Sequence, residues 1–435
     1  MTQNQITPRL LSNGLSSKKY QSSHYAMETG EKYLTYLPHS GLHNQRIALI
    51  NAMVLAKALN RTLIMPELNI GKANYWQASY RLAQKLDQCV DRSRVGANGL
   101  VYGCREYRRY FPVPVETMFD LTPAYHSRIR LMQRFDMSTD YFSRVWSAPD
   151  DHVYYVNDLT RFSYRIYDSN KNAMPMLNFE HRIDLEDLRS RPEPFLVFGS
   201  LFGSHRLALE RPELRWLWNY LFREMGMSYP TVTEKALQVV AKLGGPDQFI
   251  SVHLRQADGV FKATMAQTMD VVRGNLSVLA SANPGVHWRE EEKDQTLSPE
   301  MIQKLNELRE ARRYEDLLNT CQTIKAVKDS RSRIIFMATD ATRPRESLQH
   351  LFEEFMCLFS LSDFPDVTEN LTTTVTSNNT NSNETNLAIP SGSLLLPLID
   401  AEIASHASIF VGTPKSTFSK YIQYRNDRFR SLYSR

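Results

Sequence analysis

The sharpest chemical signal in the chain is HLRQADG, residues 253–259, which closes the apolar run FISV. Side chains two apart on a strand share a face, so His253 and Arg255 are expected together at the strand's end. A guanidinium there can grip two oxygens of a diphosphate and neutralise charge as a bond to a phosphate oxygen breaks. An Arg255–Asp258 ion pair tying the turn fits the same letters, and both readings stand.

Three further segments place donors or carboxylates at element ends. HSGLHNQR, residues 39–46, lies between a strand and a helix. Gly41 permits the tight turn, and Asn44 and Arg46 put donors beside a helix N-terminus, where an anion or a sugar hydroxyl can bind. Asn44 capping the helix and Arg46 standing in solvent is the alternative. Asp340 ends the run FMATD and either accepts from a ribose hydroxyl or base N–H, or caps the following helix. In VGTPKSTFSKYI, residues 411–422, Ser416 and Thr417 form a second phosphate cradle or a plain N-cap. Phe418 flanks a base or packs in the core, and Asp400 and Glu402 read a base or line a solvated helix face.

The elements that must position these residues follow an α/β rhythm. KYLTYLP (32–38) and TLIMP (62–66) are strands around the helical text 47–60, a βαβ unit. PFLVFGSLFG (194–203) is another strand, and helices are expected over 212–225 and 233–243. Residues 76–187 show no clear period and read as loops and short helices. QFISVHLR (248–255), RIIFMATD (333–340) and ASIFVGT (407–413) are strands of a second unit, with helical text from 265 to 329. Ligands of such sheets sit at the carboxyl ends of the strands. The domain expectation is a disordered tail over 1–30, one unit over 31–228 and a second over 229–435, the latter with an Asn/Thr-rich mobile loop over 366–388. That loop holds sequons at Asn370, Asn378 and Asn383.

With 435 residues, 42% hydrophobic and 23% charged, the chain can build two ordinary globular cores. A net charge of +5 over this length gives no warrant for nucleic-acid binding. The four cysteines form no CxxC pair; Cys89 and Cys104 could close a short loop in an oxidising compartment, and isolated cysteines otherwise read as buried hydrophobes. No apolar stretch reaches membrane-span length and the N-terminus has no signal-peptide core, so the text reads as cytosolic unless an anchor precedes it. P-loop, HExxH, GxSxG and helix-opening GxGxxG motifs are absent, as is any DxD tripeptide. Charge neutralisation by arginine and helix ends, with no metal and no cofactor, is the expectation.

The four segments, in this order, resemble the GDP-fucose protein O-fucosyltransferase family. YLPHSGLHNQRIALINAMVLAKALNRTLIMPEL matches its opening motif, SVHLRQADG its His-x-Arg peptide, FMATDA its Thr-Asp strand end and FVGTPKSTFSKYI its Ser/Thr-Phe segment. The resemblance implies a GT-B type architecture of two Rossmann-like, doubly wound α/β domains facing a central cleft, with GDP mainly on the C-terminal one. It implies inverting, metal-independent transfer of fucose from GDP-fucose to an acceptor hydroxyl, on Ser or Thr of a protein or on a glycan. By motif, Arg255 falls on the arginine that stabilises the β-phosphate, with His253 beside it. Ser416, Thr417 and Phe418 fall on the diphosphate- and base-contacting segment, and Asn44 and Arg46 where the first domain meets fucose and acceptor. Where some members place a glutamate base this chain has Ala48, Leu49 and Ile50, so the base is unassigned. A related transferase with another donor, or a non-catalytic nucleotide- or glycan-binding member, is the rival reading.

Overall fold

The computed structural model describes residues 30–71, 73–90, 111–134, 136–203, 205–256, 259–282, 296–325, 327, 329–369, 371 and 394–433. The expected tail up to residue 29, the Cys89–Cys104 loop, Asp258 and the three sequons lie outside the described residues.

Two parallel sheets organise the chain. In the first, the order is Leu131–Arg134, Thr62–Pro66, Tyr33–Tyr36, Phe195–Phe198, Val153–Val156. In the second it is Leu358–Ser360, Ile335–Thr339, Ile250–Leu254, Ile409–Gly412. Parallel strands covered on both faces read as near-continuous apolar runs: FLVF is one, and ISVHL and IFMAT are broken only by Ser251, His253 and the terminal Thr339. Alternate side chains feed different cores. Leu34, Tyr36, Leu196 and Phe198 pack towards the helix Leu42–Leu59, while Tyr33, Phe195 and Val197 meet Phe142 and Trp146 on the other face. In the second sheet Val252, Leu254 and Met337 pack with Val272 and Leu276, while Phe336 and Ala338 face the main core. Both sheets are thus doubly covered.

The reading of residues 76–187 needs correction. That stretch holds a helix, Ser79–Val90, and supplies two strands of the first sheet, Leu131–Arg134 and Val153–Val156. It also supplies Tyr164–Tyr167 and His181–Asp184, which with Leu207–Ala208 form a small parallel sheet of their own. These strands are only four residues long and mix tyrosine, arginine and glutamine with apolar residues, so no two-residue period emerges.

The last helix, Thr417–Tyr433, ties the second sheet's segment back to the first. The Tyr421 hydroxyl accepts from the Met227 amide at 3.1 Å, and Arg428 donates to the Glu224 carbonyl at 3.2 Å. A second correction concerns cysteine. Cys321 and Cys357, read as isolated hydrophobes, form a fully buried disulfide joining the helix Tyr314–Ile324 to the start of strand Leu358–Ser360. The contact is invisible in sequence because 36 residues separate the partners. Closing a loop of that length contributes about 4 kcal/mol in the chain-entropy account.

Candidate functional site

The carboxyl ends of both sheets meet at a cavity of about 470 Å³. From the first sheet's side, Ser40, Gly41, His43 and Asn44 line it, at the turn after Tyr33–Tyr36 and the start of helix Leu42–Leu59. From the second, Arg255 and Phe261 follow strand Ile250–Leu254, and Lys415, Thr417 and Phe418 follow strand Ile409–Gly412. Both helices that open here point their N-termini at the cavity, and Gly41 caps the first without any side-chain hydrogen bond. The Asn44 amide donates to the Gly41 carbonyl at 2.9 Å, and the Leu42 and His43 amides, with no acceptor among the described residues, are left to solvent or to a ligand. Ser40 and Lys415 both hold left-handed backbones, φ 69° and 64°, in the two turns that shape the mouth.

Arg255 leaves the strand at its end. Its amide donates to the Thr413 hydroxyl at 3.0 Å, Thr413 in turn donates to the His253 carbonyl at 2.7 Å, and the guanidinium lies 4.9 Å over the Phe261 ring. Asp340 accepts from the Gln256 amide at 2.8 Å, so it pins the turn that carries Arg255; the following helix is capped by Arg343. His253 stays buried, its Nδ1 2.7 Å from the Ser419 hydroxyl and its ring tilted against Phe418 at 4.6 Å. Burial, then the charge of Arg255, lowers its pKa to about 3. The last helix can press this close because of Gly412, where a Cβ would fall 2.8 Å from the Ser419 Cβ.

The opposite walls touch through the Thr417 hydroxyl, which donates to the Asn44 Oδ1 at 2.6 Å across 373 residues of chain. Asn44 keeps its amide nitrogen for another acceptor. Ser416 is buried and its hydroxyl accepts from the Ser419 amide at 3.3 Å, so it caps the last helix. Arg46 does not line the cavity. It is buried, donates to the Met225 and Phe222 carbonyls at 3.0 and 2.5 Å, and lies over the rings of Phe222, Tyr421 and Phe119. Burial lowers its pKa to about 10. With its donors met by carbonyls, Arg46 fastens the first helix to the segment at 222–225 and does not stand in solvent.

Asp400 and Glu402 are not on a solvated face either. Both are buried on helix Leu396–Ser405, whose Pro397 and Leu398 line the cavity. Glu402 pairs with Arg425 at 2.5 Å and faces His406. One oxygen of Asp400 has no hydrogen-bond partner among the described residues. Burial holds its pKa well above the carboxylate range, against a hydrogen bond from the Thr339 backbone.

A second cavity, about 560 Å³, adjoins the first and shares Ser40, Tyr75, Phe202 and Thr417 with it. Its far wall is made by the loops flanking the small three-stranded sheet, with Phe162, Leu177 and Phe179. A buried Asp158–Arg206 pair at 3.1 Å and the Tyr164 hydroxyl, donating to the Ser200 carbonyl at 2.9 Å, hold that wall to the first sheet.

The profile described as GDP-fucose protein O-fucosyltransferase matches residues 33–428. The chain belongs to this family. It is a fucosyltransferase, and its two facing parallel-sheet units are of the GT-B type. Among solved structures it is similar to POFUT1 in complex with GDP, at 14% identity over 91% of this chain and 95% of that one, TM-score 0.39. POFUT1 in complex with GDP-fucose gives 14%, 91%, 95% and 0.40. The fucosyltransferase NodZ from Bradyrhizobium gives 11%, 90%, 93% and 0.40. No curated protein matches.

Within this fucosyltransferase, three side chains not singled out from sequence join the site. Lys415 adds a cation to the lining, Thr413 props the Arg255 amide, and His43 stacks on Tyr421 at 4.3 Å with neither ring nitrogen partnered among the described residues. Lys415 and Thr413 stood in a quoted motif and were legible as turn residues only. Nothing in the letters distinguishes His43 from a core histidine.

Proposed function

We propose that the enzyme moves fucose from GDP-fucose to a Ser or Thr hydroxyl of an acceptor protein, with inversion at the sugar carbon. Arg255, and not a divalent cation, takes up the charge of the departing GDP. The acceptor oxygen bonds to the sugar carbon, the bond from that carbon to the β-phosphate oxygen breaks, its electron pair leaves with GDP, and the hydroxyl proton is released. The observation that carries this reading is the composition of the 470 Å³ cavity. It brings Arg255 and Lys415 together with two helix N-termini and, among the described residues, no lining carboxylate.

Such a lining suits a diphosphate and lacks the oxygen ligands that would hold a magnesium or manganese ion. It also lacks a strong base, so the rate rests on stabilising the leaving group. Asn44, held by Thr417, orients the acceptor hydroxyl through its amide nitrogen. His43, neutral because burial lowers its pKa to about 3, hydrogen-bonds the donor. Asp400, with an unmatched oxygen one turn from the lining, reads the guanine edge. Ser416, Phe418, Asp340 and His253 shape the walls.

Replacing Arg255 with Ala tests the reading. The loss of one charge-stabilising donor predicts a fall in turnover of roughly a hundredfold or more, about 3 kcal/mol, with unchanged thermal unfolding. Turnover near that of the parent enzyme would remove Arg255 from the mechanism.

A further inference from the structure

We infer that the 560 Å³ cavity selects the acceptor: it takes an apolar side chain neighbouring the fucosylated hydroxyl, in a polypeptide segment of net negative charge. The inference rests on the fucosyl-transfer reading and adds the acceptor's local chemistry to it. The cavity is continuous with the donor site through Ser40, Tyr75, Phe202 and Thr417, so an occupant seated in it can present a hydroxyl across the shared wall, where Asn44 meets Thr417.

The rim is apolar. Tyr75, Phe162, Leu177 and Tyr424, 59%, 45%, 53% and 37% exposed, stand together around one mouth. Large apolar side chains clustered in this way mark a binding surface, whereas single ones do not. The charge around them has one sign. Arg161 and Lys420 line the cavity, neither side chain bonds to a described residue, and no described lining residue is a carboxylate.

A peptide fits this lining better than a glycan does. Sugar hydroxyls are both donors and acceptors, and a sugar site supplies carboxylates or amides to receive their protons. Here the lining offers Asn178 as its one amide, a few hydroxyls, His205, a His39 ring whose two nitrogens are already taken by Ser40 and Ser200, and cations that only donate. An aromatic or branched aliphatic side chain needs no such partners and gains from area alone.

The test uses the whole enzyme, GDP-fucose and synthetic Ser/Thr peptides, with fucosylated product measured by mass spectrometry. A peptide with Phe and Asp beside the hydroxyl is compared with versions carrying Ser for Phe, or Lys for Asp. Each change is expected to lower kcat/KM by about tenfold or more, the scale of a lost pocket contact. Leu177→Asp should erase the preference for Phe, and Arg161→Glu should turn the preference for Asp into one for Lys. Turnover indifferent to both peptide changes would overturn the inference. So would an oligosaccharide acceptor used as well by Leu177→Asp as by the parent. Calorimetric titration of GDP separates the levels: a chain that binds GDP and still ignores the peptide series loses only this inference, while one that binds no GDP loses the reading beneath it.

Discussion

The two cavities share a wall and are built from different material. The smaller one is made of backbone ends: two strand termini and two helix N-termini, fixed by short links such as the Asn44–Thr417 side-chain contact and the Arg255 amide on Thr413. The larger is made of side-chain faces on the loops around the three-stranded sheet and on the helices Pro212–Glu224 and Thr417–Tyr433. Recognition of a diphosphate is directional and needs fixed donors, so it sits where the strongest parallel strands end. Recognition of an apolar group needs area and exclusion of water, which loops provide. The common part must therefore be rigid, and the outer part is free to differ.

The stiffness of the common wall is where that contrast can be broken. Arg46 lies behind it, joined to two carbonyls and three rings. Arg46→Ala should cost about 3 kcal/mol of stability, from lost charge-assisted hydrogen bonds and cation–π contacts, read by chemical denaturation. A variant that keeps its stability but loses turnover would return Arg46 to the substrate.

A smaller effect sharpens the electrostatics. Burial and the nearby Arg46, His253 and Arg255 hold His43 at a pKa of about 3, against an ordinary 6.5. Below pH 6.5 the unfolded chain takes up a proton that the folded chain refuses, so stability at this residue is full above 6.5 and falls as pH drops towards 3. His43→Gln should flatten the stability–pH slope between pH 6 and 4.5 by one proton, about 1.4 kcal/mol per pH unit. An unchanged slope would show that His43 carries its charge in the folded protein, beside an anion.

The two halves also differ in how much could be read from letters. Three of the second sheet's four strands were legible because ISVHL, IFMAT and IFVG are buried, mainly apolar runs with polar residues after them, whereas the three-residue strand Leu358–Ser360 was not. Arg255, Thr417 and Phe418 follow from those ends. The first sheet was half legible: YLTY, TLIMP and FLVF announce themselves, LMQR and VYYV do not. Helix Leu42–Leu59 is buried on almost every side, so no amphipathic stripe tells which way Arg46 or His43 points. The aromatic cavity was not legible, because its loop residues show no period and meet the helix residues Trp218, Phe222 and Tyr424 only in three dimensions. The same holds for Cys321 and Cys357.

The central claim is that Arg255 grips the β-phosphate, and comparing GDP with GMP tests it most directly. Titration calorimetry of both nucleotides, with a chelator present, should show the parent enzyme preferring GDP by roughly a hundredfold, as a charge-assisted bidentate contact worth about 3 kcal/mol implies. In Arg255→Ala the two nucleotides should bind almost equally. A GDP preference that survives the substitution, or that disappears from the parent enzyme when the chelator is added, would contradict it.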